Sequence, residues 1–294
     1  MKMNKQYIAL FISIISVSFA AIFIVSCTAP ALSIAFYRLF FTTLLVSPLV
    51  FFRKKTRQEI LNLPFSTILL MVCIGLILAA HFALWITSLE LTSVASSVIL
   101  VTAHPLLVGP ISHFFLKERL SFINSLGIGL SVSGVLLLVY GNYGFASGTI
   151  DTLEGNILAL LGGVAAGLYI LGGRKIRKTV SVGSYAFIVY TVSTIALFFI
   201  CLGFNAPVID LSINDYVIIL LMAIVAGIFG HTLYNWSLEH IRASVASVAL
   251  LGEPLGSTLL AFAIPWINQI PSYFTVLGGS IILFGVFLTT RENR

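Results

Sequence analysis

Residues 88–105, SLELTSVASSVILVTAHP, return in altered form as residues 237–254, SLEHIRASVASVALLGEP. Both copies open on Ser-Leu-Glu (Ser88-Leu89-Glu90 and Ser237-Leu238-Glu239), run through small residues (Ser93 to Ser97, and Ala243 to Ser247) and close on Pro105 or Pro254. The offset is 149 residues at both anchors. After two inserted residues, Ser121, Leu126, Gly127, Gly134 and Val135 reappear as Ser272, Leu277, Gly278, Gly285 and Val286. A long fixed period of this kind means that one structural unit occurs twice. The expected units are residues 1–145 and 146–294.

The composition sets the solvent of those units. The chain is 59% hydrophobic and 9% charged, with a mean hydropathy of +1.09, whereas a soluble domain needs roughly 25% charged residues to cover itself. Lipid is therefore the expected solvent. A pI near 9.3 would suit nucleic acid, but the positive charges sit in short loops between apolar segments and form no continuous face, so no nucleic-acid partner is expected.

Apolar segments fall at 7–25, 31–52, 65–88, 93–115, 121–140, 156–172, 183–203, 216–238, 243–263 and 272–290. Most approach the roughly 20 residues that cross a bilayer core as a helix, the form in which backbone polar groups satisfy one another without water. The expected fold is all-α: ten transmembrane helices around a central cavity. Segment 156–172 is the shortest and carries Gly162, Gly163 and Gly167, so it is the least expected to be one regular helix.

Charge then sets the orientation. With the N-terminus inside, the inner segments hold Lys2, Lys5, Arg53, Lys54, Lys55, Arg57, Lys117, Arg119, Arg174, Lys175, Arg177, Lys178, Arg242, Arg291 and Arg294. The outer loops hold no Lys or Arg and carry Glu90, Asp151, Glu154, Asp210 and Asp215, as the positive-inside rule requires. Both termini are expected on the cytoplasmic side of the cell membrane. Five spans per unit is an odd number, so the second unit enters from the opposite face and the repeats are inverted. Loop 141–153 is the expected outer linker, and Tyr143, Tyr216, Trp266 and Tyr273 fall at outer boundaries.

A rival reading takes Lys2, Lys5 and the run ending Ser26-Cys27 as a cleaved signal with a lipid-modified cysteine. Residues 7–25 are needed as the counterpart of 156–172, and their loss would put the charge pattern on the wrong face. Cys27, Cys73 and Cys201 are odd in number and scattered, which reads as small core residues.

Pro30 and Arg38 in the second span, Ser-Leu-Glu before a small-residue helix, mid-helix Pro105 and Pro254, and Leu116-Lys117-Glu118 before a Gly-rich span together set the pattern. On these residues the chain resembles the EamA-type carriers of the drug/metabolite transporter superfamily. The resemblance implies ten helices about a central substrate cavity, alternating access, and small organic metabolites as cargo, with amino acids and related compounds leading. It implies export as the direction. One departure is that Glu118 is answered by Gln269 in the second unit, which makes Glu118 a residue of a cytoplasmic turn.

Ionisable groups inside spans are costly and mark pathways. Glu253 lies mid-span between Gly252 and Pro254, where a proline removes a helix hydrogen bond and can free a carbonyl toward a cavity. Its repeat counterpart is His104, beside Pro105. Secondary carriers place substrate and coupling-ion sites at such interrupted helices, and a carboxyl there can exchange protons with either side. The bland alternative is that each merely fixes helix packing. His81 and His231 are a second pair, one residue off the strict offset, with Trp85 answering Tyr234; the histidines could flank the two mouths of one cavity. Arg38, beside Tyr37, either snorkels to the outer headgroups, binds a substrate carboxylate or phosphate, or pairs with Glu253. Asn235 extends the polar stripe of the eighth span with Trp236, and Tyr169, Tyr185 and Tyr190 are weaker candidates.

The chain has no phosphate-binding Gly-Lys-Thr loop and no extramembrane domain to hold one, so energy from a gradient is expected, protons being one coupling ion. No catalytic residue, metal ligand set or cofactor is expected. The partners expected are the lipid bilayer and a small-molecule substrate, and a homodimer is left open. Alternatives are import or facilitated passage of a nucleoside, sugar-phosphate or drug-like cation, an intramembrane metalloenzyme using His81, His104, His231 and Glu253, or a membrane subunit without flux.

The charge pattern makes a topological prediction. Single cysteines introduced near Asp151 and Asp210 react with a membrane-impermeant thiol reagent in intact cells, and one near Lys175 reacts only after the membrane is opened. Labelling near Lys175 in intact cells would overturn the inversion.

Overall fold

A computed structural model describes residues 5–92, 94–118, 120–143, 152–263 and 273–291. Lys2, Ser93, Arg119, Asp151, Trp266, Gln269, Ser272 and Arg294, most of the expected linker (Gly144, Ser147 and Gly148 among it) and the side chain of Tyr143 lie outside the described residues.

Each of the ten apolar segments is mostly helical among the described residues. In chain order come α1 (Lys5–Val25), α2 (Ala31–Val46), α3 (Pro48–Phe51), α4 (Lys54–Leu61) and α5 (Phe65–Leu91). Next are α6 (Val94–Thr102), α7 (Pro105–Phe115), α8 (Phe122–Tyr143), α9 (Leu153–Arg177) and α10 (Val182–Gly203). The chain continues with α11 (Ile213–Met222), a π-helical stretch Ala223–Thr232 and α12 (Leu233–Ser237), then α13 (Ala243–Ala249), α14 (Gly252–Ala263) and α15 (Tyr273–Arg291). Among the described residues six helical stretches are long and apolar enough to cross a membrane: Lys5–Val25, Ala31–Phe51, Phe65–Leu91, Leu153–Arg177, Val182–Gly203 and Ile213–Ser237. This is the build of a multi-pass membrane protein.

Two of the apolar segments are each split in two. Segment 93–115 breaks between Thr102 and Pro105, and segment 243–263 breaks between Ala249 and Gly252. Each break lies within four residues before a proline, whose ring collides with the carbonyl four residues back and which has no N–H to offer. His104 caps the start of α7, and the Glu253 amide donates to the Leu250 carbonyl at 2.9 Å at the start of α14.

Segment 156–172 differs from its expectation. It lies inside α9, one unbroken helix of 25 residues. Its glycines mark close approach and not a break: a Cβ on Gly163 would lie 2.8 Å from the carbonyl oxygens of Leu100 and Val101 in α6. Without water to compete for the backbone, glycine costs a helix in lipid little and lets neighbours approach.

α8 and α15 pack along most of their length, antiparallel. Asn124 donates to the Thr289 carbonyl at 3.1 Å and Ser131 to the Ile282 carbonyl at 3.4 Å. Along the same crossing the backbones meet at glycine: a Cβ on Gly127 would lie 2.7 Å from the Gly285 oxygen, and one on Gly134 would lie 2.7 Å from the Gly278 oxygen. Gly127 and Gly134 are the sequence counterparts of Gly278 and Gly285, so exchanging the two units turns each contact into the other.

That crossing makes a stability prediction. Gly134→Ala forces its methyl onto the Gly278 oxygen and the Ile282 amide at 2.7 and 2.8 Å, an overpacking that costs about 1–3 kcal/mol. Gly129→Ala, whose Cβ meets nothing within 4 Å, leaves stability unchanged. Thermal unfolding of the two purified variants in detergent checks the contrast, and equal midpoints would refute the close crossing.

Candidate functional site

The two breaks open onto a single chamber. His104 lies at the first break, and Leu250 and Glu253 at the second. α2 contributes Arg38, α5 contributes His81 and Trp85, and α9 contributes Ala166, Tyr169 and Ile170. The π-helical stretch contributes His231 and α12 contributes Tyr234, while Val17, Val101 and Thr102 complete the wall. About 50 Å³ is open to the centres of water-sized spheres, and one water needs on the order of 10–15 Å³ by that measure. In this conformation the chamber suits a few waters or a small solute.

Aromatic rings hold the polar groups in place. Arg38 is 1% exposed, so it does not snorkel to the headgroups. Its guanidinium lies 4.4 Å above the Phe82 ring and 5.9 Å from that of Trp85, in the range of cation–π attraction. His81 stacks on Trp85 with centroids 5.8 Å apart, and its Nδ1 lies 3.0 Å from the Gly162 carbonyl. A carbonyl only accepts, so Nδ1 carries the hydrogen and Nε2 of the neutral ring is left as an acceptor. His231 meets Phe82 edge-on at 5.3 Å, and His81 approaches the same ring at 4.8 Å. Both histidines thus pack against the Phe82 ring on the wall of one chamber.

Several buried polar atoms of this wall have no hydrogen-bond partner among the described residues: both terminal nitrogens of Arg38, Nε1 of Trp85, Nδ1 of His104 and the Tyr234 hydroxyl. Buried polar groups are nearly always paired. Their concentration in one chamber marks a place where another molecule supplies the partners.

Two of the expected residues stand elsewhere. Tyr37 follows one residue before Arg38, about 100° around the helix, and its hydroxyl donates to the Val208 carbonyl at 2.5 Å and meets the Tyr216 hydroxyl at 3.3 Å. Asn235 is turned away from the chamber in the same manner; its amide donates to the hydroxyls of Tyr169 and Tyr190, the latter at 3.1 Å. Tyr190 in turn meets Thr232 at 3.2 Å. Asn235 thus backs the wall through Tyr169, which does line the chamber. Among the described residues no three His, Cys, Asp or Glu side chains gather as metal ligands.

The sequence reading missed two arginines, which it counted only as orienting charge. Arg174 Nε pairs with Glu118 Oε1 at 2.7 Å, and its NH1 donates to the carbonyls of Leu238 and Glu239 at 2.7 and 2.9 Å. Arg177 pairs with Glu239 at 2.5 Å and donates to the carbonyls of Asn235, at 3.0 Å, and Val180. Glu118 Oε2 accepts the Ala243 amide at 2.9 Å, at the start of α13. One end of α9 is thereby tied to the turn after α7 and to the turn between α12 and α13. Glu118 is more than a turn residue. The signal in the sequence is that Glu118 and Glu239 are acidic residues in short inner turns whose other charged residues are basic.

The EamA-like transporter family model matches this chain twice, over residues 4–140 and again over 153–291. The chain belongs to the EamA-like transporter family. Among its relatives, "Uncharacterized transporter YdfC" of Bacillus subtilis is 25% identical over 194 residues, covering 65% of this chain and 60% of that protein. An "Uncharacterized transporter" of Archaeoglobus fulgidus is 27% identical over 176 residues, 57% of each chain. "Uncharacterized transporter YyaM" of Bacillus subtilis is 24% identical, over 72% of this chain and 69% of that one. The match thus spans about three-fifths of the first two relatives. A crystal structure at 17% identity superposes with a TM-score of 0.78 over 99% of this chain and 98% of that one, which establishes a shared fold.

The arginine ties of this EamA-like chain carry a prediction. Glu118→Ala strands a largely buried Arg174 and the Ala243 amide, a loss on the order of 3 kcal/mol, and adding Arg174→Ala recovers part of it because the stranded charge is gone. Chemical unfolding of the wild type, both single variants and the double variant measures the coupling. Additive losses would show that the pair does not act as a unit.

Proposed function

We propose that this protein is a secondary carrier of the cytoplasmic membrane, built as two inverted five-helix repeats, that moves small organic metabolites by alternating access through the central chamber. The ten-span reading is supported by helix in every apolar segment. Duplication is supported by the two family matches, and inversion by the antiparallel crossing at Gly127–Gly285 and Gly134–Gly278. With the termini cytoplasmic, the Arg174 and Arg177 ties lie at the inner end of the chamber, where they would have to part for the inner mouth to open.

The observation that carries the proposal is that the two repeat-related breaks, with His104 at one and Glu253 at the other, face the same chamber. Interrupted helices at the heart of a bundle are where secondary carriers bind substrate and ion. The family resemblance favours amino acids and related compounds as cargo and export as the direction. Glu253 is the coupling group: it gives up its proton when the chamber faces one side and regains it from the other, so that substrate and proton moving in opposite senses share one site.

Glu253→Gln keeps the shape and hydrogen-bonding capacity of the side chain and removes the titration. In proteoliposomes with an imposed pH gradient the variant exchanges labelled substrate but no longer concentrates it. A variant that concentrates substrate like the wild type, with the same pH dependence, would reduce Glu253 to a packing residue.

A further inference from the structure

Helix α4 lies between two stretches long and apolar enough to span a membrane, Ala31–Phe51 and Phe65–Leu91, so it sits at the bilayer face where the first ends and the second begins. Its side chains are sorted by direction. Thr56, Glu59 and Ile60 share one face, three and four residues apart, and are only partly exposed. That face meets the start of α10, where a Cβ on Gly183 would lie 3.4 Å from the Thr56 methyl. The Glu59 carboxylate accepts the Ser181 amide at 3.0 Å, the Ser184 hydroxyl at 2.5 Å and the Ser181 hydroxyl. The one acid of α4 is thereby held inward. Arg53, Lys54, Lys55 and Arg57 are all exposed, and no ion pair among the described residues engages them.

A bias of positive charge toward the inner side asks for such residues in an inner segment and says nothing about their neighbours. Here the carboxylate that would neutralise them is held away, and apolar side chains rim them: Phe52 is 86% exposed, Leu61 77% and Phe65 78%. Cations beside bare Phe and Leu are the pattern of a helix lying in the interface plane, and a cluster of four immediately beyond a span matches anionic headgroups. In the second unit the positions 149 residues on read Leu202-Gly203-Phe204-Asn205-Ala206, without charge. The basic surface is therefore an addition to one unit and not part of the repeated frame. We propose that α4 is a docking surface for anionic phospholipid, in which Arg53, Lys54, Lys55 and Arg57 engage headgroup phosphates while Phe52, Leu61 and Phe65 enter the acyl boundary. Glu59 is its positioning residue, tying the helix to α10. The orientation proposed above sets only the leaflet, the cytoplasmic one; lipid docking is independent of the chamber and of its cargo.

The test uses the purified full chain in a neutral detergent and native mass spectrometry, titrating phosphatidylglycerol or phosphatidylcholine of identical acyl chains. The wild type retains phosphatidylglycerol at least about 10-fold more tightly. One Lys or Arg near an anionic surface contributes roughly 5-fold, so Lys54→Gln combined with Arg57→Gln weakens phosphatidylglycerol about 25-fold and leaves phosphatidylcholine unchanged. Lys117→Gln combined with Lys175→Gln removes the same charge from exposed side chains elsewhere on the inner side and leaves phosphatidylglycerol binding as in the wild type. Equal retention of the two lipids by the wild type overturns the docking surface, and so does an equal loss in the two double variants, which would reduce the effect to net charge. Glycerol phosphate that competes as tightly as the whole lipid would assign the cations to a soluble phosphate and overturn it as well. The wild-type comparison decides even where a variant fails to fold.

Discussion

A helix that begins inside a membrane protein leaves backbone N–H groups facing no water, and this molecule answers with carboxylates sent from elsewhere in the chain. Glu90 accepts the Ala31 amide of α2 at 2.8 Å, Glu118 accepts the Ala243 amide of α13 at 2.9 Å, and Asp215 accepts the Thr28 amide at 2.7 Å. Glu59, on the short surface helix α4, accepts the Ser181 amide at the start of α10 at 3.0 Å. Burial alone would push the Glu59 carboxyl up, but donors from Ser181 and Ser184 outweigh it and hold the group below its ordinary value. It is therefore charged wherever carboxylates ordinarily are. Of ten acidic residues in the chain, four are engaged in this manner, and each ties segments far apart in sequence.

Breaking two helices in the middle of such a bundle exposes still more backbone, and that is tolerable only where it lines a cavity. The breaks before Pro105 and Pro254 meet at one chamber, so what the prolines cost in hydrogen bonds is confined to the place where a bound molecule can repay it. The π-helical stretch Ala223–Thr232 serves the same wall from a third side. Its wide turns bring Gly227 against Thr42 and Gly230 against Val17, where a Cβ would lie 2.4 and 2.7 Å from side-chain atoms, and His231 emerges at its end.

The segments, their near-repetition and the residues at the breaks were legible because each leaves a mark in residue type: apolar length, a recurring motif, a proline beside an ionisable group. Arg38, His81, Trp85, His104, His231, Tyr234 and Glu253 all reach the chamber that this reasoning anticipated. Tyr37 and Asn235 do not, because membership of a polar stripe fixes a helix and not the side of it, and one residue is about 100° of rotation. The continuity of α9 was hidden because glycine reads as a breaker in water and as a contact surface in lipid. The Arg174 and Arg177 ties were hidden because the carbonyls they bond carry no sequence signal and their carboxylate partners, Glu118 and Glu239, lie far away in sequence.

The duplicated scaffold and the unduplicated chemistry serve different ends. Repetition supplies the frame: like glycines cross like glycines between α8 and α15, and like prolines interrupt like helices. The chamber residues have diverged within that frame, His104 against Glu253 and Trp85 against Tyr234. The divergence is sharpest at Arg38. Arg38 stands buried in α2, and at the 149-residue offset the second unit has Phe187 in α10, an apolar ring with no charge. A symmetric chamber would present the same charge at both ends and would suit a symmetric ion. In the carrier proposed above the cation comes from the first unit and the carboxyl from the second, so rocking of one unit against the other would change the distance between two ionisable groups of the same chamber.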